Sequence, residues 1–242
     1  MHTAIITGVS RGLGAALAAA LLGRGFGVIG IGRTGNAGLD GGRFRFVDCD
    51  LAVPARMAAA VDPVLCELAA AKPAAVTLIN NAAVAWPVGR VGRLDDREAE
   101  AAIATNVVAP LALCNAFLRA FPDDAIPRRI INISSGAAQS AIAGSAVYSM
   151  SKAALEMLTR AVVAEHAAPA FRCISLRPGI FETGMQAYMR SHDPEDFPSV
   201  GLFRGFKDNA LLKAPEEVAA RIVDRLVAAD VEHGRTYAYQ DL

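Results

Sequence analysis

The sequence predicts an α/β fold of the doubly wound kind, in which helices cover both faces of a parallel sheet. Two observations support this prediction. Short runs of strand type alternate with longer runs of helix type along the 242 residues, which is the pattern of repeated β-α-β units. The short runs are apolar at nearly every position, and strands of that kind are buried on both faces of a parallel sheet.

Seven runs are strand candidates. In chain order they are TAIIT, GVIGIG, FRFVD, AVTLIN, RIINIS, RCISLR and a short final RTYAY. The interval after the first run, LGAALAAALLGRG, predicts a helix that stops at glycines, as helices commonly do. Pro54 opens the next helix candidate, PARMAAAVDPVLCELAAA, at a position where a first helical turn accepts proline.

Three later stretches complete the helical part of the pattern. Residues Leu94 to Phe121 predict one or two helices, and Tyr148 to Ala167 predict another. The run APEEVAARIVDRLVAA begins with Pro215 and has apolar residues at helical spacing. The irregular stretch 182–213 is long for a loop, and such segments often cover a ligand. We therefore expect one domain over residues 1–242, with residues 182–213 as a lid over the substrate.

Composition excludes several classes of protein. Lysine plus arginine equals aspartate plus glutamate at 24 residues each, so we expect no nucleic-acid partner. No apolar run of about 18 residues is free of charges or breakers, so we expect no membrane span. The chain enters a strand-like run at once, which gives no sign of a signal peptide.

Cysteines and histidines are scattered without the spacing of a metal site or a disulfide framework. They are Cys49, Cys66, Cys114 and Cys173, and His2, His166, His192 and His233. This usage favours a reducing compartment. We therefore expect a cytoplasmic protein that holds no metal.

A glycine-rich turn, ITGVSRGLGAAL, joins the first strand to the first helix. Gly8, Gly12 and Gly14 have the spacing TGxxxGxG. Glycines there permit a tight turn and a close approach of phosphate, and the helix N-terminus offers amide hydrogens. Glycines also serve ordinary turns, but their place between a strand and a helix favours dinucleotide binding.

The end of the second strand discriminates between NAD and NADP. An acidic residue there usually holds the adenosine ribose hydroxyls of NAD. This sequence has Arg33 instead, and its next acid is Asp40. Arg11 lies within the glycine turn, and two guanidiniums suit a 2′-phosphate. We predict NADP(H), the alternative being that both arginines are ordinary solvated residues.

The run VYSMSKAAL places Tyr148 and Lys152 one helical turn apart on the same face. An ammonium beside a phenol lowers the phenol pKa from its usual value near ~10, so Tyr148 could exchange a proton near neutral pH. A surface pair explains the same spacing. The preceding INISSG favours a site, because Ser134 and Ser135 follow an apolar strand where α/β folds bind ligands. A cap of the turn after the strand is a good alternative explanation for Ser134 and a weaker one for Ser135.

Together these motifs resemble those of the classical short-chain dehydrogenases/reductases. The motifs are TGVSRGLG, CDLA, NNA, TNVVAP, ISS, YSMSK and RPGIFET, in the family's order and spacing over essentially the whole chain. The resemblance implies a Rossmann fold and four catalytic residues. Tyr148 would be the general acid and Ser135 would orient the carbonyl. Lys152 would lower the tyrosine pKa and bind the nicotinamide ribose, and Asn106 would hold a water in a proton relay.

The resemblance also implies a complete dinucleotide site. Asp50 and Leu51 would meet the adenine, and the loop from Pro178 would cradle the nicotinamide. The full set of implied cofactor residues is Gly8, Ser10, Arg11, Gly12, Leu13, Gly14, Arg33, Asp50, Leu51, Asn80, Ala82, Tyr148, Lys152, Pro178, Gly179, Ile180 and Thr183. The sequence departs from the family's NNAG at Ala83.

A narrower similarity concerns the run RPGIFETGMQAYMRSHDPEDFP, which is similar to the sepiapterin reductase-like and benzil reductase-like branch. Members of that branch reduce vicinal dicarbonyls, so a small-molecule carbonyl substrate is implied. The candidates for an apolar substrate pocket are Trp86, Met185, Tyr188, Met189, Phe203 and Phe206. For the two phenylalanines, packing of the lid is an equally good explanation.

Family habit implies a homodimer or homotetramer through the helices containing Asn106 and Tyr148. The C-terminal HGRTYAYQDL lacks the family's usual glycine-rich ending, which counts against the standard tetramer. Two other functions remain open. One is a 3-oxoacyl-carrier-protein reductase, and the other is a non-catalytic dinucleotide-binding sensor or subunit.

Overall fold

The computed structural model describes residues 1–39, 41–122 and 126–242. They contain a seven-stranded sheet with the order β3-β2-β1-β4-β5-β6-β7, in which every neighbouring pair is parallel. The strands are β1 (His2–Thr7), β2 (Gly27–Gly32), β3 (Phe44–Asp48), β4 (Ala75–Asn80), β5 (Arg128–Ile133), β6 (Phe171–Arg177) and β7 (Thr236–Ala238). The predicted doubly wound fold and its seven strands are confirmed.

The described residues also contain eight α-helices, which lie between the strands. They are α1 (Gly12–Gly23), α2 (Met57–Ala70), α3 (Asp96–Ile103), α4 (Ala109–Ala120), α5 (Ala146–Glu165), α6 (Gly184–Arg190), α7 (Val200–Asp208) and α8 (Pro215–Ile222). Strand β2 is buried at all six positions, because the sheet has an apolar cluster on each face. One cluster joins the sheet to α1 and α8, and the other joins it to α2 and α4.

The strand order reverses between β1 and β4, and this position determines where a ligand can bind. The chain moves from β1 outward to β3 and then returns to the other side of β1. Loops at the carboxyl ends of the two strands therefore diverge and leave a crevice, which is the usual ligand site of such sheets.

The stretch from Leu94 to Phe121, predicted to form one or two helices, contains the two helices α3 and α4. A π-helical segment, Ala104–Val108, joins α3 to α4. Such wide turns inside helices are rare and frequently mark functional sites. Here the segment carries Asn106, so it aims that residue differently from an ordinary helix.

The stretch 182–213, the least regular part of the sequence, contains the two short helices α6 and α7. Thr183 caps α6 by accepting a hydrogen bond from the Gln186 amide at 3.4 Å. In α7 the buried Val200 and Phe203 lie three residues apart, on one face of the helix. Helices of seven and nine residues depend mainly on tertiary packing, so local pattern gave little sign of them.

One helical stretch, Asp96–Ala120, is long and apolar enough by length and composition to cross a membrane. Of its most apolar window, 44% is buried inside the fold. The core helices of globular proteins pass the same test, and this stretch packs against the sheet. It is therefore weak evidence for a membrane span.

Candidate active site

The segments that carry the predicted site residues meet at the carboxyl edge of the sheet. The glycine turn follows β1, Asn81 and Ala82 follow Asn80 at the end of β4, and Ser134 and Ser135 follow β5. The loop beginning at Pro178 follows β6. This edge includes the crevice where the strand order reverses, so one location receives all of these segments.

The glycines of the turn after β1 are sterically required. Gly8 and Gly12 have φ of 74° and 59°, a region that only glycine adopts without strain. A Cβ on Gly14 would lie 2.0 Å from the Gly8 carbonyl oxygen. The turn therefore fits a phosphate group held by backbone amides at the start of α1.

Asn81, for which the sequence predicted no role, fixes this turn. Its side-chain amide donates to the carbonyl oxygens of Thr7 at 2.9 Å and Gly8 at 3.3 Å. The Thr7 hydroxyl oxygen accepts from the backbone amides of Asn81 and Ala82 at 3.0 and 2.9 Å. These four hydrogen bonds join the ends of β1 and β4. The NNA motif is the only feature of the sequence that pointed to this segment.

Two of the implied cofactor residues have their side chains in the interior rather than the crevice. Asn80 is 2% exposed and donates to the Asn132 side-chain oxygen at 2.8 Å. Leu51 is buried in the core between the sheet and α2. Both side chains therefore belong to the protein interior, and a cofactor contact from either residue would have to come from its backbone atoms.

Arg11 and Arg33 are both exposed, as a phosphate clamp requires. Arg33 directly follows β2. The guanidinium of Arg11 lies beside the first turn of α6, since its Cζ is 3.9 Å from where a Cβ on Gly184 would be. Asp40 falls outside the described residues.

Tyr148 is partly buried and shares a hydrogen bond with the Ser135 hydroxyl. Burial raises the pKa of Tyr148 above its ordinary value, and the bond to Ser135 lowers it by less. The expectation of a lowered pKa is therefore wrong for the protein alone, because burial outweighs the neighbouring groups. A phenol with a raised pKa stays protonated at neutral pH and is available as a proton donor.

Lys152 is 2% exposed, and its ammonium donates to the Ile133 carbonyl oxygen at 2.7 Å. The ammonium nitrogen lies 5.6 Å from the centre of the Tyr148 ring. Burial lowers the pKa of Lys152 to about 8. The lysine is thus held at the end of β5, one helical turn below the tyrosine.

The Asn106 side chain is committed to protein groups. Its amide donates to the Val84 carbonyl at 2.8 Å and to the Ser151 hydroxyl at 3.1 Å, and its oxygen accepts from the Val84 amide at 2.9 Å. Ser151 in turn donates to the Tyr148 carbonyl at 2.7 Å. Asn106 therefore ties the loop after β4 to the helix that carries Tyr148.

A water held by Asn106 would then bind its backbone rather than its side chain. In an α-helix the Asn106 carbonyl would accept from residue 110, but that residue is Pro110 and has no N–H. The wide turn at Ala104–Val108 also displaces the hydrogen-bond pattern at this point.

The loop after β6 forms a second bare surface opposite the glycine turn. Pro178 is buried, and Gly179 has φ of 79°. The Thr183 methyl carbon lies 3.3 Å from where a Cβ on Gly12 would be. The loop and the glycine turn therefore face each other across the crevice, with Ile180 partly buried between Gly179 and α6.

An apolar cluster joins residues of the stretch 182–213 to the segment after β4. Its buried members are Ala85, Met189, Phe197, Val200 and Phe203, with Val88, Ile142, Tyr148, Met185 and Phe206 packed against it. The inclusion of Tyr148 places the cluster beside the hydroxyl that would donate the proton.

The structure divides the predicted pocket residues into two groups. Met189 is 2% exposed and Phe203 is 8% exposed, so both are core residues of the lid and a pocket role for Met189 is not supported. Tyr188 is 36% exposed, while Trp86 and Met185 are partly buried. Val88 and Ile142, not identified from the sequence, pack against the same cluster. A lone aliphatic residue in a loop gives no local signal of such a position.

Comparisons with known proteins agree with this geometry. A model of the family described as short chain dehydrogenase matches residues 2–194. Benzil reductase ((S)-benzoin forming) of Bacillus subtilis (strain 168) is 30% identical over 239 residues, which cover 98% of each chain. Sepiapterin reductase of Bos taurus is 35% identical over 125 residues, 50% of this chain and 46% of the relative.

A solved structure gives the same result for the fold. The crystal structure of the KRED1-Pglu enzyme matches with a TM-score of 0.84 at 25% identity, over 98% of this chain and 100% of that one. The family match, the relatives and the residues gathered at the sheet edge agree. The chain belongs to the short-chain dehydrogenase/reductase family of oxidoreductases, with benzil reductases and sepiapterin reductases among its relatives.

Proposed function

We propose that this protein is an NADPH-dependent carbonyl reductase that acts on vicinal dicarbonyls. The observation that carries the proposal is the position of the Tyr148 hydroxyl. It is hydrogen-bonded with Ser135 and has the apolar lid cluster packed beside it. The bare glycine turn and the Pro178 loop lie at the same sheet edge. A proton donor thus lies between a dinucleotide cradle and an apolar pocket.

NADPH, when bound, supplies the hydride that reduces the carbonyl carbon. The chain's own residues act on the carbonyl oxygen. Ser135 donates a hydrogen bond to this oxygen as negative charge develops on it. Tyr148 then donates its proton to this oxygen, so the product is an alcohol. The raised pKa of Tyr148 suits this role, because the phenol is protonated when the substrate arrives.

Lys152 and Asn106 replace the proton that Tyr148 gives up. The Lys152 ammonium lies beside the tyrosine ring and stabilises the phenolate that forms. A water on the Asn106 carbonyl would connect this lysine to solvent. The commitment of the Asn106 side chain to Val84 and Ser151 supports a backbone site for that water.

The preference for NADPH rests on charge at the adenosine end of the crevice. Arg33 follows β2, where enzymes that prefer NAD place an acid, and Arg11 projects from the glycine turn. Guanidiniums hold a phosphate through paired charged hydrogen bonds. Their exposure leaves both side chains accessible to a 2′-phosphate.

The dicarbonyl assignment rests on the similarity to benzil reductase over 98% of both chains and on the apolar character of the pocket. Aromatic or aliphatic diketones are uncharged and suit a site bordered by Val88, Ile142 and Met185. The partial similarity to sepiapterin reductase supports the same class of substrate.

A homo-oligomer is also part of the proposal. Four large apolar side chains are exposed on the helical stretches that contain Asn106 and Tyr148, namely Val108, Leu111, Met150 and Met157 at 40%, 45%, 59% and 55% exposure. Burying them in a second copy would remove apolar surface from water. Light scattering should give a mass above one chain, and Met157→Glu should lower it.

The test is reduction of benzil by NADPH in wild type and in Tyr148→Phe. The variant should lose activity by about 10²- to 10⁴-fold, because the proton donor is gone. NADPH binding, followed by the fluorescence of the bound nicotinamide, should persist. Tyr237→Phe is the matched control. It removes the hydroxyl of Tyr237 on the edge strand β7, which accepts a hydrogen bond from the Glu232 backbone amide. Wild-type turnover in Tyr148→Phe would contradict the proposal.

A further inference from the structure

Glu156 lies one helical turn beyond Lys152 on α5, in a place that the proposed mechanism does not use. Its side chain is 12% exposed, which is unusual for a carboxylate. Buried carboxylates persist when they are paired and hydrogen-bonded. The partners of Glu156 belong to two segments that immediately precede catalytic or cofactor-facing residues.

The first partner is Arg177, the last residue of β6. Its guanidinium donates two bonds to the Glu156 carboxylate, at 2.8 Å to Oε1 and 2.7 Å to Oε2. A two-bond fork fixes the orientation of both groups as well as their distance. Pro178 and Gly179, which begin the bare loop over the nicotinamide end of the crevice, follow Arg177 directly.

The second partner is Ser134, which ends β5. Its hydroxyl donates to Glu156 Oε1 at 2.7 Å and is 3.5 Å from the Lys152 carbonyl oxygen. Ser135, the residue hydrogen-bonded with Tyr148, is next in the chain. One carboxylate therefore accepts three hydrogen bonds that join α5, the end of β5 and the end of β6.

The electrostatics of Glu156 agree with this arrangement. Burial acts to raise its pKa, but the hydrogen bonds from Arg177 and Ser134 outweigh burial and hold the pKa below its ordinary value. The carboxylate is thus charged at neutral pH, and removing Arg177 would take away its main compensating charge.

We propose that Glu156 is a positioning residue that, through Arg177 and Ser134, sets the distance between the catalytic tyrosine and serine and the loop facing the nicotinamide. The inference rests on the proposed function, since it concerns the geometry of hydride transfer. Its physical basis is the steep dependence of such reactions on alignment, where a misplacement of about 1 Å costs about 10²-fold.

The experiment compares Glu156→Ala, Glu156→Gln and Arg177→Lys with wild type. We expect kcat for benzil reduction to fall about 10- to 100-fold in Glu156→Ala. Glu156→Gln should fall less, because the amide keeps an acceptor for Ser134 but loses the charge that pairs with Arg177. Glu165→Gln, at an exposed position near the end of the same helix, is the control and should retain wild-type kcat.

Two readouts separate positioning from a merely structural role. The dissociation constant for NADPH should stay near the wild-type value, because the adenosine end does not contact this pair. The double variant Glu156→Gln with Arg177→Lys should have a kcat little lower than that of either single variant. All three variants break the same pair of hydrogen bonds between Arg177 and Glu156, so their effects should not add. Unchanged kcat in Glu156→Ala would overturn the proposal. So would a loss of kcat and NADPH affinity in proportion to the folded fraction.

The emission of bound NADPH separates a failure of this inference from a failure of the proposed function. If wild type reduces no dicarbonyl, the proposed function fails, but the position of the nicotinamide is still measurable. Glu156→Ala should then alter the emission of bound NADPH at unchanged affinity. Emission identical to wild type would contradict the role of Glu156 by itself.

Discussion

The glycine turn (residues 8–14) and the lid (residues 182–213) face the same crevice but are built in opposite ways. Three of the seven positions in the glycine turn are glycine, and hydrogen bonds of 2.9 to 3.3 Å that involve Thr7 and Asn81 hold it in place. The lid is two short helices held by the packing of Met189, Phe197 and Phe203. A backbone site suits a constant ligand such as a dinucleotide, whereas a packed lid allows its pocket to vary between relatives.

The comparison predicts that the glycine turn tolerates no added atoms. Gly14→Ala would place a Cβ 2.0 Å from the Gly8 carbonyl oxygen and 2.5 Å from the Asn81 amide nitrogen. We expect NADPH binding to fall below detection and the free energy of unfolding to drop by about 1–3 kcal/mol. Calorimetry and a fluorescence titration measure the two effects.

Gly23→Ala is the matched control in the same helix. An added Cβ there meets no atom within 4 Å, so it should leave NADPH binding unchanged and stabilise the helix by up to about 1 kcal/mol. Equal effects of the two substitutions would show that the crowding at Gly14 is not what limits the turn.

The next largest effect separates the two cofactors. Arg33→Asp should weaken NADPH binding by about 10- to 100-fold, the value of a charged hydrogen bond, and leave NADH binding nearly unchanged. Arg225→Asp makes the same change of charge elsewhere on the surface. The two dissociation constants, measured for both variants, provide the test, and equal losses for NADPH and NADH would remove Arg33 from the phosphate site.

A substitution in the lid should affect the substrate and leave NADPH binding unchanged, the reverse of a substitution in the glycine turn. Met189→Ala removes a side chain that is 2% exposed and should lower the free energy of unfolding by about 2–5 kcal/mol. It should raise KM for the diketone while the dissociation constant for NADPH stays constant. Leu202→Ala, at an exposed position of α7, should do neither. A loss of NADPH affinity in Met189→Ala would break the separation between lid and glycine turn.

The smallest expected effect is the pH dependence of kcat, which depends on Lys152, a residue outside both the glycine turn and the lid. Burial lowers the pKa of Lys152 to about 8, so its ammonium is present below that pH and is lost above it. The kcat for reduction should therefore decline as pH rises through about 8. A plot of kcat against pH that stays flat up to the ordinary pKa of lysine would contradict the role of the charge.

The glycine turn could be predicted from sequence because its information is local. The glycines, the preceding strand and Arg33 lie within one β-α-β unit, and parallel strands bring Ser135 and Pro178 to the same edge by topology alone. The spacing of Tyr148 and Lys152 is local in the same way, whereas Asn106 could be named only through the resemblance to the family.

The lid and the electrostatics could not be predicted, because both depend on tertiary packing. Helices α6 and α7 are stabilised by packing with Ala85 and Ile142. The spacing of apolar residues within each helix does not reveal contacts with such distant parts of the chain. The raised pKa of Tyr148 results from burial, which its spacing from Lys152 does not reveal. Glu156 and Arg177 are 21 residues apart, and only the fold brings them together.

The most direct test of the account is NADPH oxidation by wild type with four carbonyl compounds, each repeated with NADH. The compounds are benzil, a sepiapterin-like pterin, an aliphatic diketone and an acetoacetyl thioester. We predict turnover of the dicarbonyls with NADPH and much less with NADH. Activity confined to the thioester would indicate a 3-oxoacyl-carrier-protein reductase. Cofactor binding without any turnover would indicate a non-catalytic dinucleotide sensor, and either result would contradict the account.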